Sequence, residues 1–171
     1  DGVFLDAMKA EGSLKNYKSI TAVEIEEDET SKLKEKYADC RNVKVLNSDF
    51  FDFYKDKKRT KYDLIVGNPP YQEIISKSKG NKSLGKQLFP NYIKLSMDIT
   101  DVYATLITPS KWFTADAQDN SFPKLREYAK RNNHFKKIKT MANGASVFEG
   151  TELGSVNYFL FEKQYTGNTE F

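Results

Sequence analysis

Residues 62–71 read Tyr-Asp-Leu-Ile-Val-Gly-Asn-Pro-Pro-Tyr. The apolar run Leu64-Ile65-Val66 has the pattern of a parallel strand buried on both faces. Pro69 and Pro70 forbid its continuation, because neither can donate to a sheet ladder. Asn68 precedes a proline, which pushes its own backbone toward an extended conformation. The stretch therefore predicts a stiff turn at the carboxyl end of a strand, the edge where open α/β sheets bind ligands. Chemically, the turn offers the Asn68 side-chain oxygen, a neighbouring prolyl carbonyl and the ring of Tyr71. Two acceptors held close together can take both hydrogens of a planar amine, draw them out of plane and free the nitrogen lone pair for attack. Tyr71 can stack on the ring that bears the amine. Such a site needs no histidine or cysteine nucleophile. The plainer reading is a proline-rich turn that only ends a strand.

Working outward, the 171 residues suit one domain with one core. A hydrophobic content of 39% and an aromatic content of 13% point to a globular fold and away from disorder. The net charge of +3 is compatible with a nucleic-acid partner without demanding one. The lone cysteine, Cys40, excludes an internal disulfide framework and suits a reducing cytoplasm. With one cysteine and one histidine, a soft-ligand metal site is not expected. No apolar run of about 18 residues predicts a membrane span, and no signal peptide is visible.

Strand-like and helix-like segments alternate along the chain, which predicts a parallel α/β sheet with flanking helices. Helices are expected over 3–10, with Phe4, Leu5 and Met8 on one side, and over 28–38, with Leu33 and Tyr37 sharing a face. Two more are expected over 88–99, with a stripe of Leu88, Tyr92, Leu95 and Ile99, and over 122–132, with Phe122, Leu125 and Ala129 inward. Strands are expected over 20–25, 43–47, 62–66 and 102–107, and residues 135–141 and 155–162 are expected to pair as an antiparallel edge. The polar stretch 76–86, with Gly80 and Gly85, predicts a loop.

Asn-Pro-Pro-Tyr after an apolar strand resembles the catalytic motif of S-adenosylmethionine-dependent amino-methyltransferases. Along nearly its whole length the chain is similar to the adenine-specific DNA methyltransferases of restriction–modification systems, including the fused restriction–methylation enzymes. The resemblance implies a Rossmann-like class I methyltransferase fold. It also implies methylation of the exocyclic N6 amine of adenine, catalysed through Asn68, Pro69, Pro70 and Tyr71. The opening Asp1-Gly2-Val3-Phe4-Leu5 resembles only the tail of the family's glycine-rich cofactor loop, with Gly2 as its last glycine. The resemblance therefore implies that the first strand of the fold is absent from residues 1–171, which are expected to be a single catalytic domain truncated at its start.

By the same resemblance, Glu24 in Ala-Val-Glu-Ile accepts from the cofactor's ribose hydroxyls, with Glu26 as the alternative. Asp49 accepts from the amino group of the cofactor's adenine, with Phe50 packed beside that ring, and Asn68 borders the cofactor as well. Glu24 has a second reading as one of a cluster of surface acids, and Asp49 as an ordinary turn residue before a core Phe. Thr108-Pro109-Ser110-Lys111-Trp112 resembles a family Pro-x-x-Trp that lines the site, although Trp112 suits the core equally. Val147-Phe148-Glu149-Gly150 resembles the later motif whose aromatic residue, here Phe148, stacks on the face of a flipped base opposite the tyrosine. The implied partner is double-stranded DNA with the adenine flipped out. A target-recognition domain or subunit lies elsewhere, and the setting is a bacterial or archaeal cytoplasm. Basic stretches around Lys55–Lys61, Lys77–Lys86 and Lys136–Lys139 are candidates for phosphate contact or simply solvated faces. Two other readings stay open. One is transfer to a glutamine amide of a protein, which the same turn can serve, and the other is a non-catalytic remnant.

Overall fold

The computed structural model describes residues 2–57, 60–74, 85–132, 134–146, 148 and 154–171. Against the one core expected from length, apolar residues gather in two clusters within two compact units, Asp1–Arg59 and Thr60–Phe171. The parallel strands are correspondingly divided between separate sheets.

The first unit holds α1 (Val3–Ala10), β1 (Ile20–Glu24), α2 (Glu27–Lys36), β2 (Val43–Asn47) and α3 (Phe50–Lys57). β1 and β2 run parallel in register from Ile20 opposite Val43 to Glu24 opposite Asn47. Leu5, Leu14, Leu33 and Tyr37 form its core, with Met8, Ile20, Val43 and Val45 packed against them. The pairing of Leu33 with Tyr37 is the i, i+4 face read from sequence. The acidic first turn and basic last turn of α2 complement the helix dipole. Asp6 on α1 accepts from the Tyr37 hydroxyl and from Lys36 at 2.7 Å, joining the two helices.

The second unit holds β3 (Tyr62–Gly67), β4 (Gln72–Ile74), β5 (Gly85–Gln87), α4 (Phe89–Ile99), β6 (Thr100–Pro109), α5 (Ser121–Arg131), β7 (Phe135–Met141) and β8 (Val156–Glu162). Its main sheet has the order β3-β6-β8-β7. β3 lies parallel to β6, while β8 is antiparallel to both β6 and β7, as expected for the last two strands. Ala104, Leu106, Phe159 and Phe161 on one sheet face pack with Phe89, Ile93 and Met97 of α4 and Phe122 and Leu125 of α5.

Three expectations are corrected. β3 is not buried on both faces: Leu64 and Val66 are 36% and 39% exposed. β3 is the outer strand of its sheet, and only its Ile65 side turns toward the helices. In α4 the buried stripe is Phe89, Ile93 and Met97, joined by Ile99, and Leu88, Tyr92 and Leu95 are only partly covered. An i, i+4 row one residue out of phase meets Ala104 and Leu106 instead. Of the loop expected over 76–86, residues 76–84 lie outside the described residues, and Gly85 and Lys86 belong to β5, paired antiparallel with β4. The backbone ladder there overrides a composition that reads as loop.

Candidate active site

β3 ends at Gly67, whose register partner is Leu106 in β6. A Cβ at Gly67 would stand 3.1 Å from the Leu106 side chain, so glycine lets the turn begin close against β6. Asn68 and Pro70 are exposed, Pro69 is buried and Tyr71 is half-buried. The Tyr71 hydroxyl donates to Asn68 Oδ1 at 3.1 Å, so the phenol orients the carboxamide. Burial raises the Tyr71 pKa, which keeps the phenol a proton donor. Its ring stands edge-on to Phe89 of the core, with centroids 6.5 Å apart, and the Leu88 amide donates to the Tyr71 carbonyl at 3.1 Å. Among the described residues the Pro69 and Pro70 carbonyls accept no hydrogen bond. The turn thus offers a fixed carboxamide oxygen, open carbonyls and an anchored ring.

These groups line a cleft of about 860 Å³. Asn68, Pro69, Pro70, Tyr71 and Gln72 form one wall, and Pro109, Ser110, Lys111, Phe113 and Thr114 form another. Phe148 and the segment Gly154–Val156 complete it. The sequence-predicted Asn68, Pro69, Pro70, Tyr71 and Phe148 therefore meet in one site. The volume lies within the usual range for small-molecule sites and has room for a ring with its substituents. The Phe148 amide donates to Gly144 at 2.9 Å, while Val147, Glu149 and Gly150 of its motif lie outside the described residues.

Trp112 takes its core reading. The 3₁₀ turn Ser110–Phe113 rotates it inward to 4% exposure, where it packs with Phe135, and it does not line the cleft. Ser110 and Lys111 line it in its place. The Ser110 amide donates to Ser155 at 2.9 Å and joins two walls, but its buried Oγ has no hydrogen-bond partner. A buried hydroxyl left unpaired costs about 1–3 kcal/mol. Beneath the turn, fully buried Asn157 donates through Nδ2 to the Thr108 carbonyl at 3.1 Å and to its hydroxyl at 3.2 Å, holding the ends of β6 and β8 together.

The remaining candidates belong to the first unit. The parallel register sets Glu24 beside Asn47 at the carboxyl edge of β1 and β2, with Asp49 two residues further on. Glu24 Oε1 accepts from the Ile25 amide at 2.9 Å and the Glu26 amide at 3.2 Å. Asp49 Oδ1 accepts from the Phe51 amide at 2.7 Å and the Asp52 amide at 3.3 Å, capping α3. The second reading of Asp49, a turn residue before a core Phe, gains a specific role here as the cap of α3, and Asp49 Oδ2 has no hydrogen-bond partner among the described residues. Phe50 is partly buried against Phe51 and Phe53. Gly2 begins α1 at φ +74°, where a Cβ would come within 2.3 Å of Leu33 Cδ2. Two oriented carboxylates and an aromatic ring at the end of parallel strands suit a ligand with a diol and an amino-bearing ring, so the donor set fits S-adenosylmethionine.

Among the described residues no group of three or more His, Cys, Asp or Glu is placed to hold a metal ion. No helix among them is long and apolar enough to cross a membrane. Three lysines of the basic stretches hold carboxylates. Lys55 bonds Asp52, Lys136 bonds Glu162 and Lys137 bonds Glu170, while Lys77, Lys79 and Lys82 lie outside the described residues.

The chain is 32% identical over 128 residues to an uncharacterized adenine-specific methylase of Mycoplasma pneumoniae, covering 72% of this chain and 29% of that protein. Among solved structures it resembles the type I restriction-modification system methyltransferase subunit from Streptococcus thermophilus. There the TM-score is 0.63 at 16% identity, over 86% of this chain and 34% of that one. It also resembles SMU.776, solved complexed with SAH, with a TM-score of 0.53 at 16% identity over 84% of this chain and 39% of that one. At such identities the structural likeness speaks to the fold alone, the α/β fold of class I methyltransferases. The chain spans about a third of the length of these relatives. The family model of the Eco57I restriction-modification methylases matches residues 5–148, most of the chain, and the chain belongs to that family.

Proposed function

We propose that this chain is the catalytic portion of an S-adenosylmethionine-dependent DNA methyltransferase that acts on the N6 amine of adenine within a restriction–modification system. The observation that carries the proposal is the meeting of Asn68-Pro69-Pro70-Tyr71 and Phe148 in one cleft. Asn68 Oδ1 and a prolyl carbonyl accept the two amine hydrogens. The carboxamide oxygen has two acceptor sites, so it can serve the amine while still held by the Tyr71 hydroxyl. Tyr71 and Phe148 take the two faces of the base. An adenine paired inside a duplex cannot reach this cleft. It must be flipped out at a cost of a few kcal/mol, and stacking returns about 1–3 kcal/mol per base. Catalysis is then mainly orientation. Glu24, Asp49, Phe50 and Gly2 are the residues that would hold the cofactor. When bound, S-adenosylmethionine supplies a methyl group on a sulfonium, electrophilic enough to need no metal or protein nucleophile. The proton leaving the amine passes to solvent. Target recognition belongs to a separate domain or subunit, and the setting is a bacterial or archaeal cytoplasm.

The test is methyl transfer from radiolabelled S-adenosylmethionine by the complete reading frame that encodes this chain. Adenine-containing duplex DNA and a release-factor protein are offered side by side. N6-methyladenine in the digested DNA is the expected product. Label in a protein glutamine and none in DNA would reverse the substrate assignment. Label in neither would leave the chain a non-catalytic remnant.

A further inference from the structure

Lys111 is set apart from the other lysines that have known partners. Among the described residues lining the cleft it is the one ionisable cation, and no acidic side chain lines the cleft with it. It forms no ion pair among the described residues, whereas Lys55, Lys136 and Lys137 each hold a carboxylate. Its ammonium stands 5.7 Å from the centroid of Phe122, a ring only 3% exposed, so part of its surroundings is apolar. Burial lowers its pKa, the mark of a cation drawn partly out of water with no counter-ion to offset the loss. Next to it, Ser110 is 8% exposed and its Oγ is unpartnered. That buried Oγ does not open to the cleft, whereas Lys111 is exposed as a residue, so its ammonium is the accessible donor that lacks an anionic acceptor.

We propose that Lys111 is the phosphate anchor of the cleft, pairing with a backbone phosphate next to the flipped adenine. This rests on the reading of the cleft as the adenine site and deepens it, because it makes the substrate a phosphodiester strand and not an isolated base or a protein amide. Lys111 lines the same cleft as Asn68–Tyr71, so a nucleotide whose base lies on Tyr71 can direct its phosphate to the lysine. Lys111 thereby positions the substrate, while the reacting amine is held by Asn68.

The experiment uses the complete reading frame with Lys111→Gln and Lys111→Arg. It measures DNA affinity across a salt series, KM and kcat for DNA, and affinity for S-adenosylmethionine. Neutralising one phosphate contact releases about 0.9 counterion, so Lys111→Gln should make the plot of log affinity against log salt shallower by about 0.9. KM for DNA should rise about three- to tenfold at low salt, as for one partly buried ion pair, with kcat changed by less than about twofold. Lys111→Arg should restore the slope. If the wild type methylates adenine in DNA and Lys111→Gln leaves slope and KM untouched, the anchor is refuted while the adenine reading survives. A loss of S-adenosylmethionine affinity with an unchanged DNA slope would assign Lys111 to the cofactor's carboxylate and also refute it. A wild type that does not methylate DNA would remove the adenine reading and the anchor together.

Discussion

Tyr71 has two separable tasks in the cleft, and substitution can measure each. Tyr71→Phe keeps the ring and its edge-on contact with Phe89 but deletes the 3.1 Å bond to Asn68 Oδ1. A hydrogen bond between neutral groups contributes about 0.5–1.5 kcal/mol net. If that bond holds the carboxamide in the orientation the amine requires, its loss slows transfer by roughly two- to twelvefold. Tyr71→Ala also removes the stacking face, about 1–3 kcal/mol more. The sum, about 1.5–4.5 kcal/mol, corresponds to a loss of roughly tenfold to two-thousandfold. The assay is the single-turnover rate on adenine-containing DNA at saturating S-adenosylmethionine, with cofactor affinity measured separately. Asn68→Ala serves as the reference for a lost acceptor, with cofactor affinity expected to hold. Equal losses in Tyr71→Phe and Tyr71→Ala would mean that the ring stacks on nothing. A Tyr71→Phe enzyme as fast as the wild type would mean that the phenol does not orient Asn68.

Gly2→Ala should destabilise the first unit by about 1–2 kcal/mol in urea denaturation, the cost of a non-glycine residue at φ +74°, before any shift of Leu33 to admit the new Cβ. An unchanged midpoint would mean that the start of α1 does not depend on this conformation. Asn157→Ala should lower stability by about 1–3 kcal/mol, read as a drop in Tm, because it leaves the buried Thr108 hydroxyl without the Asn157 amide. The hydrogen bond from Lys36, then that from Tyr37, lowers the Asp6 pKa below its ordinary value. The stabilisation from Asp6 is therefore present above about pH 4 and is lost as pH falls through the folded-state pKa. Urea midpoints measured from pH 7 down to pH 3 should fall at the acid end, and Asp6→Asn should flatten that part of the curve.

What could be read from sequence, and what could not, divides along a physical line. The Asn68–Tyr71 turn was legible because its constraints are local. Two prolines end a strand wherever they occur, and an Asn before proline is extended in any fold. The strands 43–47 and 135–141 and the helix 3–10 were legible for the same reason, since periodicity is a property of the segment itself. The errors arose where a neighbour decides the outcome. Leu64 and Val66 have the composition of a doubly covered strand, but their exposure depends on what packs on their face of the sheet. Leu88, Tyr92 and Leu95 make as good an apolar stripe as Phe89, Ile93 and Met97, and only the sheet face opposite selects between them.

The second wall of the site shows the same division at the scale of one turn. Trp112 and Lys111 are adjacent, and their motif pointed to the site without saying which residue enters it. A 3₁₀ turn advances about 120° per residue, so one step decides between core and cleft. Ser110–Phe113 form such a turn, which buries Trp112 against Phe135 and leaves Lys111 on the cleft wall. The aromatic residue that suited site and core equally thus serves packing. The lysine that a charge count would assign to solvent is the one cation lining the cleft among the described residues, and the turn's phase, not its composition, made that exchange.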